Sequence, residues 1–323
     1  MLDAPPVVAV NPRAGIPPWL AITIAAACGG LVAVQTRLNG ALGLAIGDGF
    51  VAAVISFGSG LVILTVCLMF VRSGRTGLVT ITAALREGSM PWWTVLGGLS
   101  GAFLVLGQGI TGAVVGVALF SVALVAGQTV SGLILDRVGF GPNGRVATTW
   151  PRLIGAALAM IAVLWSVSGQ IGGDVPLWML GMPLIAGFGT GWQSAVNGRV
   201  RARAHSALTA TFLNFVVGTS ALVAVLLIRS IFVGWPESLP AQPMLYLGGA
   251  IGCVFIGVNA FLVAHTGVLL LGLGTVAGQL IGSVVIDALA AGGVGLSVTT
   301  VSGAALALVA VGVATFRRPR ARG

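Results

Sequence analysis

The hexapeptide QTRLNG at residues 35–40 recurs as QSAVNG at residues 193–198. The motif SFGSG at 56–60 recurs as NFVVG at 214–218, also 158 residues further along. Beyond these motifs the offset falls to 151: GGLSG at 97–101 recurs as GGAIG at 248–252, and AGQTVSGLILD at 126–136 recurs as AGQLIGSVVID at 277–287. The shared order indicates a duplicated unit with polar residues at equivalent places in each copy.

The composition places both copies in a membrane. Charged residues make up 7% of the chain, against about 25% in soluble domains. The hydrophobic fraction is 57%, and successive apolar runs of about 20 residues are each long enough to cross a bilayer as a helix. We predict an all-α membrane protein with ten transmembrane helices, at residues 18–41, 50–71, 93–112, 114–136, 151–169, 177–197, 206–229, 244–265, 268–289 and 296–316.

The arginines predict how these helices are oriented. With a cytoplasmic N-terminus, all basic residues except Arg37 and Arg229 fall on the inner side. Arginines in short loops favour the cytoplasm, so we predict that both termini are cytoplasmic. The net charge of +9 then reflects topology and contact with anionic lipid, not nucleic-acid binding. Because five helices per copy is an odd number, residues 1–172 and 173–323 are predicted to be inverted five-helix repeats within one membrane domain.

Polar residues recur inside the predicted spans. Gln35 and Asn39 share one helix face, because residues four apart lie one above the other. We predict ten substrate-binding residues: Gln35, Asn39, Ser56, Gln108, Gln128, Gln193, Asn197, Asn214, Asn259 and Gln279. A single amide can instead bridge helices, at about 0.6–2 kcal/mol. The number of recurring amides favours a shared polar interior, because polar groups in hydrocarbon are costly.

Three charged residues are candidates for coupling or gating. Asp136 and Asp287 are the recurring acids, and each stands at a predicted helix end, where capping or solvation is the alternative role. Arg37 has no counterpart, since Ala195 matches it. Arg37 either attracts an anionic group of the substrate, extends to the outer headgroups or pairs with Asp48. The sequence contains no metal-ligand spacing, catalytic cluster or nucleotide-binding motif, so we predict no metal, no cofactor and no enzymatic activity.

With these motifs the chain resembles the YdcZ-type branch of the drug/metabolite transporter superfamily, in a fused form with two five-span halves. The resemblance covers about residues 20–315, and it rests on Gln35-x3-Asn39, Ser56-Phe57-x2-Gly60, Gly97-Gly98-x2-Gly101, Ala126-Gly127-Gln128 with Asp136, and the corresponding motifs of the second half. It implies an inner-membrane exporter whose pathway is surrounded by spans one to four and six to nine. Span one lacks the mid-span acid of small multidrug exporters, which argues against simple proton antiport of cations.

The predicted function is therefore secondary transport across a bacterial inner membrane. A small polar metabolite or drug would be exported by alternating access between the inverted repeats. The predicted partners are this small-molecule substrate, the lipid bilayer and a gradient of protons or sodium ions. A passive channel for small solutes would share the same topology. A non-transporting membrane scaffold is a further alternative, although it would not need matched polar residues in both halves.

Overall fold

The computed structural model of this protein describes residues 17–140, 149–168, 176–289 and 297–315. Within these ranges the side chains of Asp136, Asn259 and residues 260–273, among others, lie outside the description. The described residues form α1 (Pro18–Ile46), α2 (Gly49–Phe70), α3 (Arg72–Arg86), α4 (Gly97–Val115), α5 (Val117–Val138), α6 (Trp150–Ser168), α7 (Leu177–Ala204), α8 (Ala207–Val233), α9 (Gly248–Leu289) and α10 (Val298–Thr315). Short 3-10 helices at Trp92–Val95 and Pro243–Leu247 precede α4 and α9.

Two helices begin in the same way at equivalent positions of the two copies. The Asp48 carboxylate accepts backbone hydrogen bonds at the start of α2, and the Ser206 hydroxyl accepts one from the Thr209 N–H, 3.2 Å away, at the start of α8. Such caps satisfy N–H groups that have no partner within the helix. The residues before the caps, Gly47 and His205, both have left-handed backbones, with φ of 73° and 51°.

The segment after α2 differs from the prediction. The sequence predicts a polar, solvated connection there, and the structure contains the amphipathic helix α3. Ile81 and Ala84 are buried and pack against Val200 and Ala204 of α7, while the arginines of α3 are exposed. The prediction failed because the arginines and threonines of α3 dominate its composition and hide a narrow apolar face.

Apolar helices of membrane-spanning length confirm an all-helical membrane fold for the described residues. Four helices are long and apolar enough to cross a bilayer: Gly49–Phe70, Trp92–Val115, Val117–Leu135 and Ala207–Val233. Shorter apolar helices occupy Leu153–Ser166, Pro243–Ile256, Gly274–Leu289 and Val298–Val313. The helix pattern departs from the ten predicted spans at two places, α3 and α9.

A single helix, α9, covers the region predicted as spans eight and nine, without the expected break near residue 266. Gly248 nevertheless accepts a hydrogen bond from Gln35, while Thr275 faces Gly29 only six residues earlier in α1. In a straight helix, rising 1.5 Å per residue, Gly248 and Thr275 would be about 40 Å apart, whereas Gly29 and Gln35 are about 9 Å apart. The helical segment therefore bends sharply between its two ends.

The contacts also give the direction of each arm of α9. Along the first arm (residues 248–258), Gly248 lies beside Asn39 and Gly252 beside Gln35, so this arm runs antiparallel to α1. Along the second arm (residues 274–289), the contacts advance in the same direction as α1: Thr275 faces Gly29, and Gly282 faces Ala33. The chain thus reverses direction within α9, and both arms pack against α1.

Equivalent helix contacts recur around α7. Gly29 of α1 packs directly on the backbone of Thr275 and Gln279, and Gly187 of α7 packs in the same way on Leu124 and Gln128 of α5. Gly187 is the repeat counterpart of Gly29, 158 residues further along the chain. The residues they contact also correspond: Leu124 matches Thr275 and Gln128 matches Gln279, at the offset of 151. Glycine is needed at such contacts because a Cβ would overlap the backbone of the neighbouring helix.

The helices α6 and α10 pack against each other at the side of the molecule. Their shared surface consists of small residues, including Ala159, Ala162, Ala307 and Ala310, all buried. Large apolar side chains such as Leu164, 67% exposed, point away from the bundle. This arrangement leaves α1, α2, α4, α5, α7, α8 and α9 to surround the polar residues.

Candidate functional site

The helices place seven of the ten predicted binding residues in two amide clusters. The first amide cluster consists of Gln35, Thr36, Asn39, Ser56 and Gln108 on α1, α2 and α4. The second amide cluster consists of Gln193, Asn197 and Asn214 on α7 and α8. Gln128 and Gln279 lie apart from both clusters, and the side chain of Asn259 is outside the described residues.

Direct hydrogen bonds connect the first amide cluster. Asn39 Nδ2 donates to Gln108 Oε1 at 2.7 Å, and Gln108 Nε2 donates to Thr36 Oγ1 at 3.0 Å. Gln35 Nε2 donates to the Gly248 carbonyl at 2.8 Å. Asn39 and Gln108 are fully buried, at 0% exposure. These bonds join α1 to α4 and to the first arm of α9, so the same amides that were predicted to bind substrate also hold helices together.

Two polar atoms of this cluster have no hydrogen-bond partner among the residues that the structure describes. They are Asn39 Oδ1 and Ser56 Oγ, and both are buried. Both lie next to Gly248, where an added Cβ would overlap Asn39 Oδ1 and come within 3.0 Å of Ser56 Oγ. Leaving a buried polar atom unpaired costs about 1–3 kcal/mol. Glycine at 248 therefore leaves room beside the two atoms that still lack a partner.

The second amide cluster repeats this arrangement with different bonds. Asn197 Nδ2 donates to Asn214 Oδ1 at 3.3 Å, and Asn214 Nδ2 finds no partner in the described part of the chain. Gly97, the match of Gly248, lies beside the Asn197 and Asn214 side chains, just as Gly248 lies beside Asn39 and Ser56. Gly101 lies beside Gln193 as Gly252 lies beside Gln35.

An aromatic pair joins α2 and α8 beside both clusters. The rings of Phe57 and Phe215 stack with centroids 4.7 Å apart and planes inclined by 26°. Each ring also covers a glycine of the opposite helix: Phe57 packs on Gly218, and Phe215 packs on Gly60. The contacts are reciprocal between matched residues, as expected around a local twofold axis. The Phe57 ring also approaches Gly101, and the Phe215 ring approaches Gly252, which places the pair against both amide clusters.

The remaining two amides lie at the equivalent glycine contacts of the fold. Gln128 Nε2 donates to Thr190 Oγ1 at 3.1 Å, across the α5–α7 contact. Gln279 lies at the matching contact between the second arm of α9 and α1. It is 2% exposed, and no described residue accepts a hydrogen bond from its Nε2. The two equivalent glutamines therefore differ, because only the first has its amide nitrogen satisfied.

The acid Asp287 caps a helix of the other copy. Its two carboxylate oxygens accept from the N–H groups of Val117, at 3.1 Å, and Ala118, at 2.7 Å, at the start of α5. A negative charge is favourable at a helix N-terminus. Arg37 lies close enough to interact electrostatically with Asp287. The side chain of Asp136, the other candidate acid, lies outside the described residues.

Asp48, one of the alternative partners considered for Arg37, pairs with another arginine. Asp48 instead forms an ion pair with Arg229 at the end of α8, and the Arg229 guanidinium carbon lies 4.9 Å from the centre of the Phe50 ring. Sequence reasoning missed this pair because the two residues are 181 positions apart. A weak signal was present, since Arg229 and Arg37 are the two arginines predicted on the outer side, and Asp48 is the acid predicted near them.

Comparison with known proteins decides the family. The sequence profile described as "Putative inner membrane exporter, YdcZ" matches residues 20–165 and 177–315. The chain belongs to the YdcZ family. The two matched segments agree with a fused form that carries the family unit twice, and the resemblance noted from the motifs is confirmed. No curated protein matches the chain.

The YdcZ fold is also present among solved structures. One of them, described only as "Crystal structure of protein", superimposes with a TM-score of 0.51 at 19% sequence identity, over 92% of this chain and 96% of the other. At this identity the likeness concerns the fold alone. The family description itself names a transporter of the inner membrane, which is not a class of enzymes, and it names no substrate.

The two amide clusters of this YdcZ-family chain differ in accessibility. Gln35 and Asn39 are buried, at 8% and 0% exposure. Their counterparts Gln193 and Asn197 are half-buried. In the described part of the chain, two surface cavities lie away from both clusters, and no three His, Cys, Asp or Glu side chains are grouped to hold a metal ion. The first cluster is thus closed, whereas two of the three residues of the second cluster are partly accessible and the third, Asn214, is buried at 1% exposure.

Proposed function

We propose that this protein is a secondary transporter that exports a small polar molecule by alternating access between two inverted five-helix repeats. The observation that carries the proposal is the recurrence of the same contacts around two amide clusters, at positions related by the sequence repeat. Gly248 beside Asn39 corresponds to Gly97 beside Asn197, and Gly29 on Gln279 corresponds to Gly187 on Gln128. Transporters built from inverted repeats bind substrate at the interface of the repeats.

The equivalence of contacts between the two copies also supports ten membrane spans in the chain. The break between α4 and α5 falls at Gly116, which has a φ of 86°. Its counterpart at the offset of 151 is Gly267, within the region of α9 where the chain reverses. We take the two arms of α9 as spans eight and nine, and α3 as an interfacial helix that crosses no membrane. The repeats then comprise residues 1–172 and 173–323, and both termini are cytoplasmic by the arginine distribution.

The difference in accessibility suggests how the pathway opens. The arginine-rich ends of the helices include the C-terminal end of α7, which follows directly after Asn197. With these ends in the cytoplasm, the half-buried second cluster faces inward and the closed first cluster faces outward. Inverted repeats that exchange conformations would reverse this difference, which is alternating access. The Phe57–Phe215 pair lies where the two clusters meet, so it is the candidate barrier between them.

The polar groups favour a substrate that both donates and accepts hydrogen bonds. Asn39 Oδ1 needs a donor, while Asn214 Nδ2 and Gln279 Nε2 need an acceptor. Such a ligand would remove the cost of the unpaired groups, and neutral amides suit an uncharged polar part of the substrate. Arg37 and Asp287 are the candidates for gating or ion coupling, with Asp136 as the repeat counterpart of Asp287.

The test is transport by purified protein in proteoliposomes. Gln128→Ala and Gln279→Ala are expected to reduce uptake of a transported metabolite more than they reduce folded yield. Leu164→Ala, on the outer face of α6, is a matched control that removes a side chain outside the pathway. If Gln128→Ala and Gln279→Ala lower yield and transport equally, the two amides only connect helices.

The same vesicles separate a carrier from a channel. A carrier coupled to a proton or sodium gradient accumulates substrate above the outside concentration, and collapse of that gradient abolishes accumulation. A passive channel lets the substrate reach equal concentrations on both sides but does not accumulate it. This result would overturn alternating access but would leave the proposed location of the pathway unchanged.

A further inference from the structure

A groove of about 260 Å³ lies between the C-terminal end of α7 and the segment that joins α3 to α4. Its lining consists of Ser89, Met90, Pro91, Thr94, Arg199 and Arg203. None of these residues belongs to the amide clusters, and the proposed transport pathway does not use them. The groove joins two arginines to side-chain and backbone polar groups, which is the chemistry of an anion site.

Aromatic rings hold Arg199 in place. Its guanidinium carbon lies 5.4 Å from the centre of the Trp93 ring and 4.8 Å from that of Phe140. These two rings stack on each other with centroids 5.0 Å apart. A guanidinium that lies over aromatic faces keeps its N–H donors at its edge, where they can bind an oxyanion in a bidentate manner. Within the described ranges, no carboxylate forms an ion pair with Arg199.

Arg203 adds a second set of donors on the same side of α7. It follows Arg199 by four residues, so both project from one helix face. Its Nη2 lies 3.5 Å from Ser89 Oγ, which places it across the groove at the loop after α3. Arg203 is exposed and, in the part of the chain that the structure describes, has no carboxylate partner. The two guanidinium groups thus converge on one groove, and no carboxylate of the described residues forms an ion pair with either.

The surroundings of the groove match the interface between membrane and water. Trp92, 70% exposed, follows Pro91 directly, and Trp side chains are enriched at headgroup level. The amphipathic helix α3 leads into the groove and exposes its arginines. Phosphate groups of anionic lipids lie at this depth, and clustered arginines beside a helix end bind them.

We propose that this groove binds the phosphate group of an anionic phospholipid, held between Arg199 and Arg203. The bound lipid would connect α7 to the α3–α4 segment, since the two arginines come from α7 and Ser89 from the loop. A soluble phosphate ester presents the same oxygens, so the experiment must distinguish the two sources. The inference does not depend on the proposed transport function, because the lipid is a bound component and not the cargo.

The test measures binding to the purified full-length protein in neutral detergent. The protein is titrated separately with phosphatidylglycerol, phosphatidylcholine, inorganic phosphate and glycerol 3-phosphate. The rise in Tm and the lipid retained in native mass spectra report binding. Phosphatidylglycerol is expected to raise Tm and to stay bound, and phosphatidylcholine is not. Equal effects of the two lipids would overturn the proposal. Protection by the soluble phosphates at equal concentration would refute the lipid as the source and assign the groove to a soluble phosphate ester.

Arg201→Gln is the matched control for Arg199→Gln and Arg203→Gln. It removes one positive charge from the same helix but does not line the groove. A single arginine near an anionic headgroup is worth about a fivefold change in affinity. Arg199→Gln and Arg203→Gln are expected to weaken phosphatidylglycerol binding by about that factor or more, and Arg201→Gln by less than about twofold. Equal losses in all three variants would show a diffuse charge effect and no groove site. Arg203 is exposed, so its variant remains informative if Arg199→Gln folds poorly.

Discussion

A methyl group added at Gly29 tests the contact between α1 and the second arm of α9. The Cβ of Gly29→Ala would lie 2.7 Å from the backbone N of Gln279 and 2.8 Å from the backbone carbon of Thr275. Optimal separations are about 3.5–4.0 Å, so the two helices must move apart by about 1 Å. Rotating a side chain cannot relieve this overlap, because the opposing atoms are backbone.

The neighbouring Gly30 supplies the control. The nearest atom to a Cβ at Gly30 is the Gly278 carbonyl oxygen, 4.0 Å away, which is an ordinary contact. Both substitutions gain about 1 kcal/mol of helix propensity, and only Gly29→Ala incurs overpacking, which typically costs about 1–3 kcal/mol. We therefore expect Gly29→Ala to be less stable than Gly30→Ala by about 1–3 kcal/mol.

The assay is equilibrium unfolding of both variants in mixed micelles with an increasing fraction of denaturing detergent. Equal midpoints for Gly29→Ala and Gly30→Ala would refute the described packing of α1 on α9. Gly187→Ala extends the test to the repeat, because its Cβ would lie 2.8 Å from the Leu124 backbone carbon. If Gly29→Ala destabilises and Gly187→Ala does not, the two contacts are not equivalent. Phe188, the repeat counterpart of Gly30, is 43% exposed, so the corresponding position of the other copy accepts a large side chain.

Three further predictions concern single residues. His205→Gly is expected to raise stability by about 1 kcal/mol in the same unfolding assay, because His205 has the left-handed backbone that glycine adopts without strain. Asp48→Asn keeps a good helix cap but removes the charge opposite Arg229, and a loss of roughly 1–2 kcal/mol is expected; unchanged stability would show that the ion pair contributes nothing. Arg37→Gln is expected to slow transport in proteoliposomes without lowering folded yield, since it leaves the Asp287 cap of α5 intact, and unchanged transport would exclude a gating role for Arg37.

The sequence repeat predicted more of the structure than composition did. Matched motifs such as Gly97-Gly98 and Gly248-Gly249 sit in equivalent surroundings, because the spacing of small residues determines where two helices approach closely. The membrane class followed from the apolar runs alone. The continuity of α9 as one helical segment did not follow, because Gly267 can end a helix or lie within one, and the sequence around it is apolar on both sides.

The partners of the polar residues were the least predictable part of the site. Asn39 was expected to act with Gln35, four residues away on the same face, but its amide donates to Gln108, and Gln35 reaches Gly248. Helix spacing predicts which side chains share a face, whereas hydrogen-bond partners depend on the rotation of neighbouring helices. The amides therefore combine two roles that the sequence analysis had treated as alternatives, because one atom of Asn39 joins helices while Asn39 Oδ1 has no partner.

Two departures from the repeat change the charge. Ser206 occupies the place of Asp48, so the ion pair with Arg229 exists on one side of the membrane domain alone. Ala195 likewise replaces Arg37. The centre, by contrast, keeps Phe57 and Phe215 in reciprocal contacts. An unequal charge distribution at the two mouths would favour one of the two conformations that a symmetric core allows. Such a bias would set which conformation is occupied at rest, whereas the direction of net transport follows the driving gradient.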